Sequence, residues 1–105
     1  MKKIFKKIEN QISNNKVILY MKGTPEEPKC GFSAQVVKIL LKNKVKFAYV
    51  DVLKDIEIRN FLPKYSKWPT FPQLWVKRKL IGGCDIVVHL DKKDQLAKIF
   101  KKNDC

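Results

Sequence analysis

Apolar residues in the first part of the chain recur every three or four positions. Ile4, Phe5, Ile8 and Ile12 alternate with lysines and amides, which predicts an amphipathic helix that ends at Asn14-Asn15. The period then vanishes. Val17-Ile18-Leu19-Tyr20-Met21 is an unbroken apolar run of strand length, and it predicts a strand buried on both faces. After a polar loop, Val36, Val37, Leu40 and Leu41 fall along one side of a helix spanning residues 31–43. Phe47 to Val52 reads as a second strand. Asp55 is placed to cap a helix carrying Ile56, Phe61 and Leu62, with Pro63 as its stop. Gln73–Val76 and Lys79–Ile81 flank Lys77-Arg78 as a hairpin, and Gly82-Gly83 follows as a turn. Asp85 then heads a helix with Ile86, Val87 and Leu90, and Asp94 a last one with Leu96, Ile99 and Phe100.

The order αβαβαββαα predicts an α/β fold, a small mixed four-stranded sheet flanked by helices on both faces. The first two strands are joined through a helix, so they are expected to run parallel through a right-handed crossover. At 105 residues and 45% hydrophobic content the chain suffices for one core, hence one domain over residues 1–105. MKKIFKK begins like a signal peptide, but Glu9, Asn10 and Gln11 interrupt any apolar stretch, and no run approaches membrane-spanning length. A cytoplasmic protein with no membrane partner is the expectation. Three cysteines, an odd number, do not suggest a secreted disulfide framework.

A formal net charge of +13 raises nucleic acid as a partner. The cations are 21 lysines and only two arginines, spread from Lys2 to Lys102, with no basic stripe interleaved with aromatics. Arginine leads in base and phosphate recognition. The skew is therefore read as compositional, and no specific nucleic-acid partner is expected.

The chemistry concentrates in Lys22 to Val37, KGTPEEPKCGFSAQVV. Cys30 stands where a loop becomes a helix. A helix start offers free N–H groups and partial positive charge, and Lys22 and Lys29 add full charges. All of these favour thiolate, so Cys30 is expected to titrate below about 8.5. Cys30-Gly31-Phe32-Ser33 has Cys-x-x-Cys spacing with serine second, so Cys30 works alone, with a distant thiol or with a metal. Three other stretches have a bland and a functional reading each. Trp68-Pro69-Thr70-Phe71-Pro72 is a Pro-rich turn or the site of a cis peptide. Gly82-Gly83-Cys84-Asp85 is a tight turn with a capping Asp, or an anion nest at a helix start. Arg59 is a solvated helix residue or a bidentate carboxylate partner.

CGFS preceded by the KGTPEEP loop resembles the monothiol glutaredoxins, specifically the single-domain CGFS type. The resemblance runs from the first helix to about Phe100 through Lys22, CGFS at 30–33, Arg59, WPTFP at 68–72 and GGCD at 82–85. It implies a thioredoxin-like fold. It implies that Pro72 is cis and faces Cys30, and that the backbone of Phe71 pairs with glutathione like a strand. It implies that backbone N–H groups of Cys84 and Asp85 hold the γ-glutamyl carboxylate, and that Arg59 and Lys22 take the glycyl one.

The resemblance also implies a carrier of a [2Fe–2S] cluster, acting in iron–sulfur biogenesis with scaffold and recipient apoproteins as partners. A homodimer bridged by the cluster would supply four thiolates, two from Cys30 and two from glutathione. The competing ligand set is Cys30 and Cys84 of each copy. The alternative function is a glutathione-dependent thiol–disulfide oxidoreductase in which Cys30 takes up glutathione from a mixed disulfide. Family resemblance favours the carrier, with at most weak oxidoreductase activity. Cys84 stays open between an inert buried thiol and a resolving cysteine. Trp68, Trp75, Phe47 and Tyr49 are assigned to core or rim packing, and His89 and Cys105 to no role.

Overall fold

The structure, a computed structural model, describes residues 2–105. Helix α1 spans Lys2–Asn14, strand β1 Val17–Met21, α2 Gly31–Lys42, β2 Ala48–Asp51 and α3 Ile56–Ser66. Strands β3 (Gln73–Val76) and β4 (Lys79–Gly82) follow, then α4 (Cys84–Lys92) and α5 (Gln95–Lys102). This is the order expected from the sequence.

The strands form one sheet in the order β2-β1-β3-β4. β1 and β2 are parallel, with Ile18 opposite Ala48 and Met21 opposite Asp51. β3 is antiparallel to β1, and β4 antiparallel to β3. The alternation of a strand explains why VILYM is apolar throughout. Val17, Leu19 and Met21 join one core with Val36, Leu40, Val87 and Leu96 from α2, α4 and α5. Ile18 and Tyr20 join the opposite core with Ile4, Ile8 and Ile12 of α1 and Ile58 and Leu62 of α3. All five residues of β1 are buried. Burying each such Leu or Ile side chain contributes about 1.5–3 kcal/mol relative to exposure. The Tyr20 hydroxyl, buried with its ring, donates to Gln11 Oε1 at 2.9 Å, which closes α1 onto the sheet.

The second strand is shorter than expected, and three helix ends differ in their position or their capping. Pro63 does not end α3, which runs on to Ser66. Leu62 is fully buried, Tyr65 stacks near Phe5 and Trp75, and the Ser66 hydroxyl donates to the Leu62 carbonyl at 2.9 Å. Packing of the last turn outweighs the hydrogen bond that proline omits. Lys67 in the left-handed region stops the helix instead. Asp85 is not the cap of α4. Gly83 is, and Asp85 lies in the first turn. Asp94 is the N-cap of α5, as expected, but makes no side-chain cap hydrogen bond, because it occupies the left-handed corner between two helices (φ 57°). Asp55, in contrast, caps α3 as expected, its carboxylate accepting from Ile58 N–H at 3.2 Å.

Candidate functional site

The C-terminal end of β1 delivers Lys22 to the start of α2. The loop between them is pinned from three sides. Gly23 N–H donates to Asp51 Oδ1 at 3.0 Å, Lys29 N–H to Lys22 carbonyl at 2.9 Å, and Glu27 N–H to Thr24 carbonyl at 3.0 Å. Gly23 has φ 93°, and a Cβ there would stand 2.6 Å from the Glu27 carbonyl oxygen, so only glycine fits.

Cys30 is the N-cap of α2 and half-buried. Its thiol is held below the ordinary cysteine range. The backbone N–H of Ser33 is the largest cause. Burial works against it, and the N–H of Phe32, the Lys22 charge and the Ser33 hydroxyl add to the lowering. The expected direction and the contribution of Lys22 are therefore present, with the helix start ahead of the lysine. Lys29 is not a contributor; its ammonium pairs with Glu27 at 3.3 Å, out in solvent. Ser33 carries more than the sequence reading gave it. It is fully buried, and its Oγ accepts from Lys22 N–H at 3.1 Å, tying the thiol's helix to the end of β1.

Cys84 heads α4 and is 8% exposed. Its S–H donates to Gln35 Oε1 at 3.3 Å. Burial, followed by the charges of Asp85 and Cys30, pushes its thiol up. Gly82 is required by space and by its backbone, and Gly83 sits close against the loop before β3. A Cβ on Gly82 (φ 147°) would meet Ile86 at 2.8 Å, and one on Gly83 would press the Pro72 carbonyl oxygen at 3.3 Å. No side chain caps α4, so its first N–H groups remain open.

Between these two helix starts lies an open pocket of about 620 Å³. The sequence reading named Lys22, Cys30, Arg59, Phe71, Cys84 and Asp85, and all six line it, as does Pro72. The Phe71–Pro72 peptide is cis. Among the described residues the ion pairs are Lys7–Asp55, Lys29–Glu27 and Lys42–Asp91, so Lys22 and Arg59 face the pocket without an acidic partner. The sequence reading missed Asn60 and Ile86 on the rim; neither has a signal beyond its neighbours. Trp68 is at the rim as expected, but its buried indole N–H has no partner. Trp75 and Phe47 pack in the cores, whereas Tyr49 is exposed on the edge strand β2. His89 and Cys105 are exposed and away from the pocket.

A lone activated thiol at a helix start, facing a cis-proline loop across a cationic pocket on this sheet, defines the class. A glutaredoxin family profile matches residues 17–81. The chain belongs to the glutaredoxin family, and with serine at position 33 it is a monothiol member. It is 58% identical over 98 residues to Glutaredoxin 4 of Buchnera aphidicola subsp. Baizongia pistaciae, covering 93% of this chain and 91% of the relative. It is 50% identical over 102 residues to Glutaredoxin 4 of Escherichia coli K12, covering 97% and 89%. The solution structure of reduced apo GrxS14 from poplar superposes with a TM-score of 0.84 at 39% identity, over 97% of this chain and 94% of that one. No helix among the described residues is long and apolar enough to cross a membrane.

Proposed function

We propose that this monothiol glutaredoxin binds glutathione in the Cys30 pocket and carries a [2Fe–2S] cluster between two copies of itself, as a step in iron–sulfur cluster biogenesis. Glutathione has carboxylates at both ends. The glycyl one suits the unpaired Lys22 and Arg59, the γ-glutamyl one suits the uncapped N-terminus of α4 through the N–H groups of Cys84 and Asp85, and the backbone of Phe71 pairs with the middle. The tripeptide's sulfur then lies beside Cys30.

The donor set supports the cluster assignment. Such a cluster needs four thiolates. Among the described residues no group of three or more His, Cys, Asp or Glu is arranged to hold a metal. One accessible thiolate per chain fits a cluster only if the remaining sulfurs come from glutathione and a second copy. The observation that carries the reading is the separation of the two pocket thiols, Cys30 favoured as thiolate and Cys84 held protonated and buried. Phe32, 61% exposed beside Cys30, offers the apolar face a second copy requires. A cluster held in part by a dissociable tripeptide transfers readily to recipient apoproteins in the cytoplasm.

A lowered thiol pKa also favours a second reading. Cys30 thiolate attacks a glutathione mixed disulfide, the Cys30–glutathione disulfide forms as the target thiolate leaves, and a second glutathione thiolate releases oxidised glutathione and restores Cys30. Anaerobic reconstitution with iron and sulfide over a glutathione series separates the two. The carrier gives a brown, glutathione-dependent dimer by visible absorption and native mass. A colourless monomer at every glutathione concentration contradicts it.

A further inference from the structure

Five consecutive residues, Trp68 to Pro72, form one wall of the pocket. Among the described residues none of them makes a hydrogen bond to another main-chain group. Pro69 and Pro72 have no N–H to give. An open loop of this kind is ordinarily mobile, yet this one must present Phe71 in a fixed pose if a ligand is to pair with its backbone.

The loop is held from inside the sheet. Gln73, the first residue of β3, is fully buried, an unusual location for an amide. Its Nε2 donates to the Trp68 carbonyl at 2.9 Å and to the Thr70 carbonyl at 3.3 Å. Its Oε1 accepts from Trp75 Nε1 at 3.2 Å. The partners fix the orientation of the amide, since carbonyls take only donors and an indole N–H only an acceptor. At the other end, Ser66 Oγ accepts from Trp68 N–H at 3.2 Å. The side chain of Gln73 thus replaces the missing main-chain bonds on either side of Thr70 and leaves the peptide groups of Phe71 unengaged. Ile, Leu or Val at this position would fill the space but not hold the loop.

We infer that Gln73 is the positioning residue of the glutathione-pairing loop, setting the pose of Phe71 through the Trp68 and Thr70 carbonyls without touching ligand itself. The ligand half of this inference rests on the proposed glutathione site; the loop half does not.

The test uses wild type, Gln73→Leu, Gln73→Glu and Leu96→Ala, the last a cavity in the core that faces away from α1 and α3. In wild type the Gln73 side-chain amide protons exchange slowly with solvent and show through-hydrogen-bond coupling to the Trp68 and Thr70 carbonyl carbons by NMR. In both Gln73 variants the Thr70 and Phe71 amides shift and exchange at least tenfold faster, with α5 amides unmoved. Glutathione affinity, measured below the unfolding transition, falls at least tenfold in both, while Leu96→Ala loses stability and keeps its affinity. Leu removes the donations to the loop and the acceptor for Trp75 together, whereas ionised Glu keeps the acceptor for Trp75 and sets its charge against the two loop carbonyls, so a shared effect on Thr70 and Phe71 points to the lost donations. Wild-type amide protons that exchange at the rate of a free primary amide overturn the inference even if no variant folds. So do folded Gln73 variants with unchanged Thr70 and Phe71 amides. If wild type binds no glutathione, the proposed site fails, and the amide exchange alone decides the role of Gln73. Equal loss of affinity in Leu96→Ala assigns the effect to general stability and also overturns it.

Discussion

Cys30 and Cys84 both stand at the start of a helix and line one pocket, and their thiols are pushed in opposite directions. A helix N-terminus is commonly taken to activate a cysteine. Here the difference is one position and one neighbour. Cys30 is the N-cap, so its sulfur faces the open N–H groups of Phe32 and Ser33 and remains in reach of solvent. Cys84 is the first residue inside its helix, buried, beside the carboxylate of Asp85, with its S–H given to Gln35. Desolvation and a like charge outweigh the helix end. The general lesson is that a helix start lowers a thiol pKa only when the sulfur lies over the N–H groups.

Five substitutions, the first two taken as a pair, would break or sharpen this contrast, in falling order of effect. Cys30→Ser should abolish the cluster and the reactive thiol outright, whereas Cys84→Ser should keep most of the cluster on reconstitution. Loss of the cluster in Cys84→Ser would mean that the ligand set is wrong. Next, Ser33→Ala leaves the part-buried Lys22 N–H without its acceptor and opens a small void at a fully buried position. It should cost about 1–3 kcal/mol by denaturant unfolding and raise the alkylation midpoint of Cys30. Arg59→Ala removes a charged hydrogen bond worth about 1.5–3 kcal/mol. The residue is exposed, so the lower end applies, roughly a tenfold increase in the glutathione needed for half-reconstitution. The smallest effect is Gln35→Leu, which should leave the cluster intact and only speed alkylation of Cys84.

The two thiols also predict opposite pH slopes of stability. Cys30 has its folded-state pKa depressed, so its contribution is present above the ordinary thiol value of about 8.5 and fades as pH falls through the folded one. Cys84 has its pKa raised, so its contribution is present below that value and fades as pH rises through the folded one. Unfolding curves of wild type minus Cys30→Ser should therefore rise with pH toward about 8.5, and those of wild type minus Cys84→Ser should fall above it. Parallel curves contradict the assignment.

Much of this was legible in the chain because local pattern and tertiary demand agree there. The repeat of Ile4, Ile8 and Ile12 and the run Val17–Met21 announce a helix and a doubly covered strand, and both cores are built on them. Cys30 was legible because a thiol at a helix start stands out from its surroundings, whereas Lys22, Arg59, Phe71, Cys84 and Asp85 were singled out through the family resemblance of their motifs. What was not legible depends on contacts distant in sequence. Pro63 reads as a stop until Leu62 and Tyr65 are seen packed beyond it. Asp85 reads as a cap, but Gly83 holds that position, and Asp94 is the N-cap of α5 yet gives no side-chain hydrogen bond because its own backbone is left-handed. The burial of Cys84, and its bond to Gln35 across 49 positions, belong to the same kind.

The contrast between the two thiols is tested most directly by alkylating the reduced wild-type protein over a pH series and reading modification at Cys30 and Cys84 separately by peptide mass. The account predicts that Cys30 reacts faster at every pH, with a midpoint below about 8.5, and that Cys84 reacts slowly with a midpoint above it. Coincident midpoints, or a Cys30 midpoint at or above that value, would contradict it.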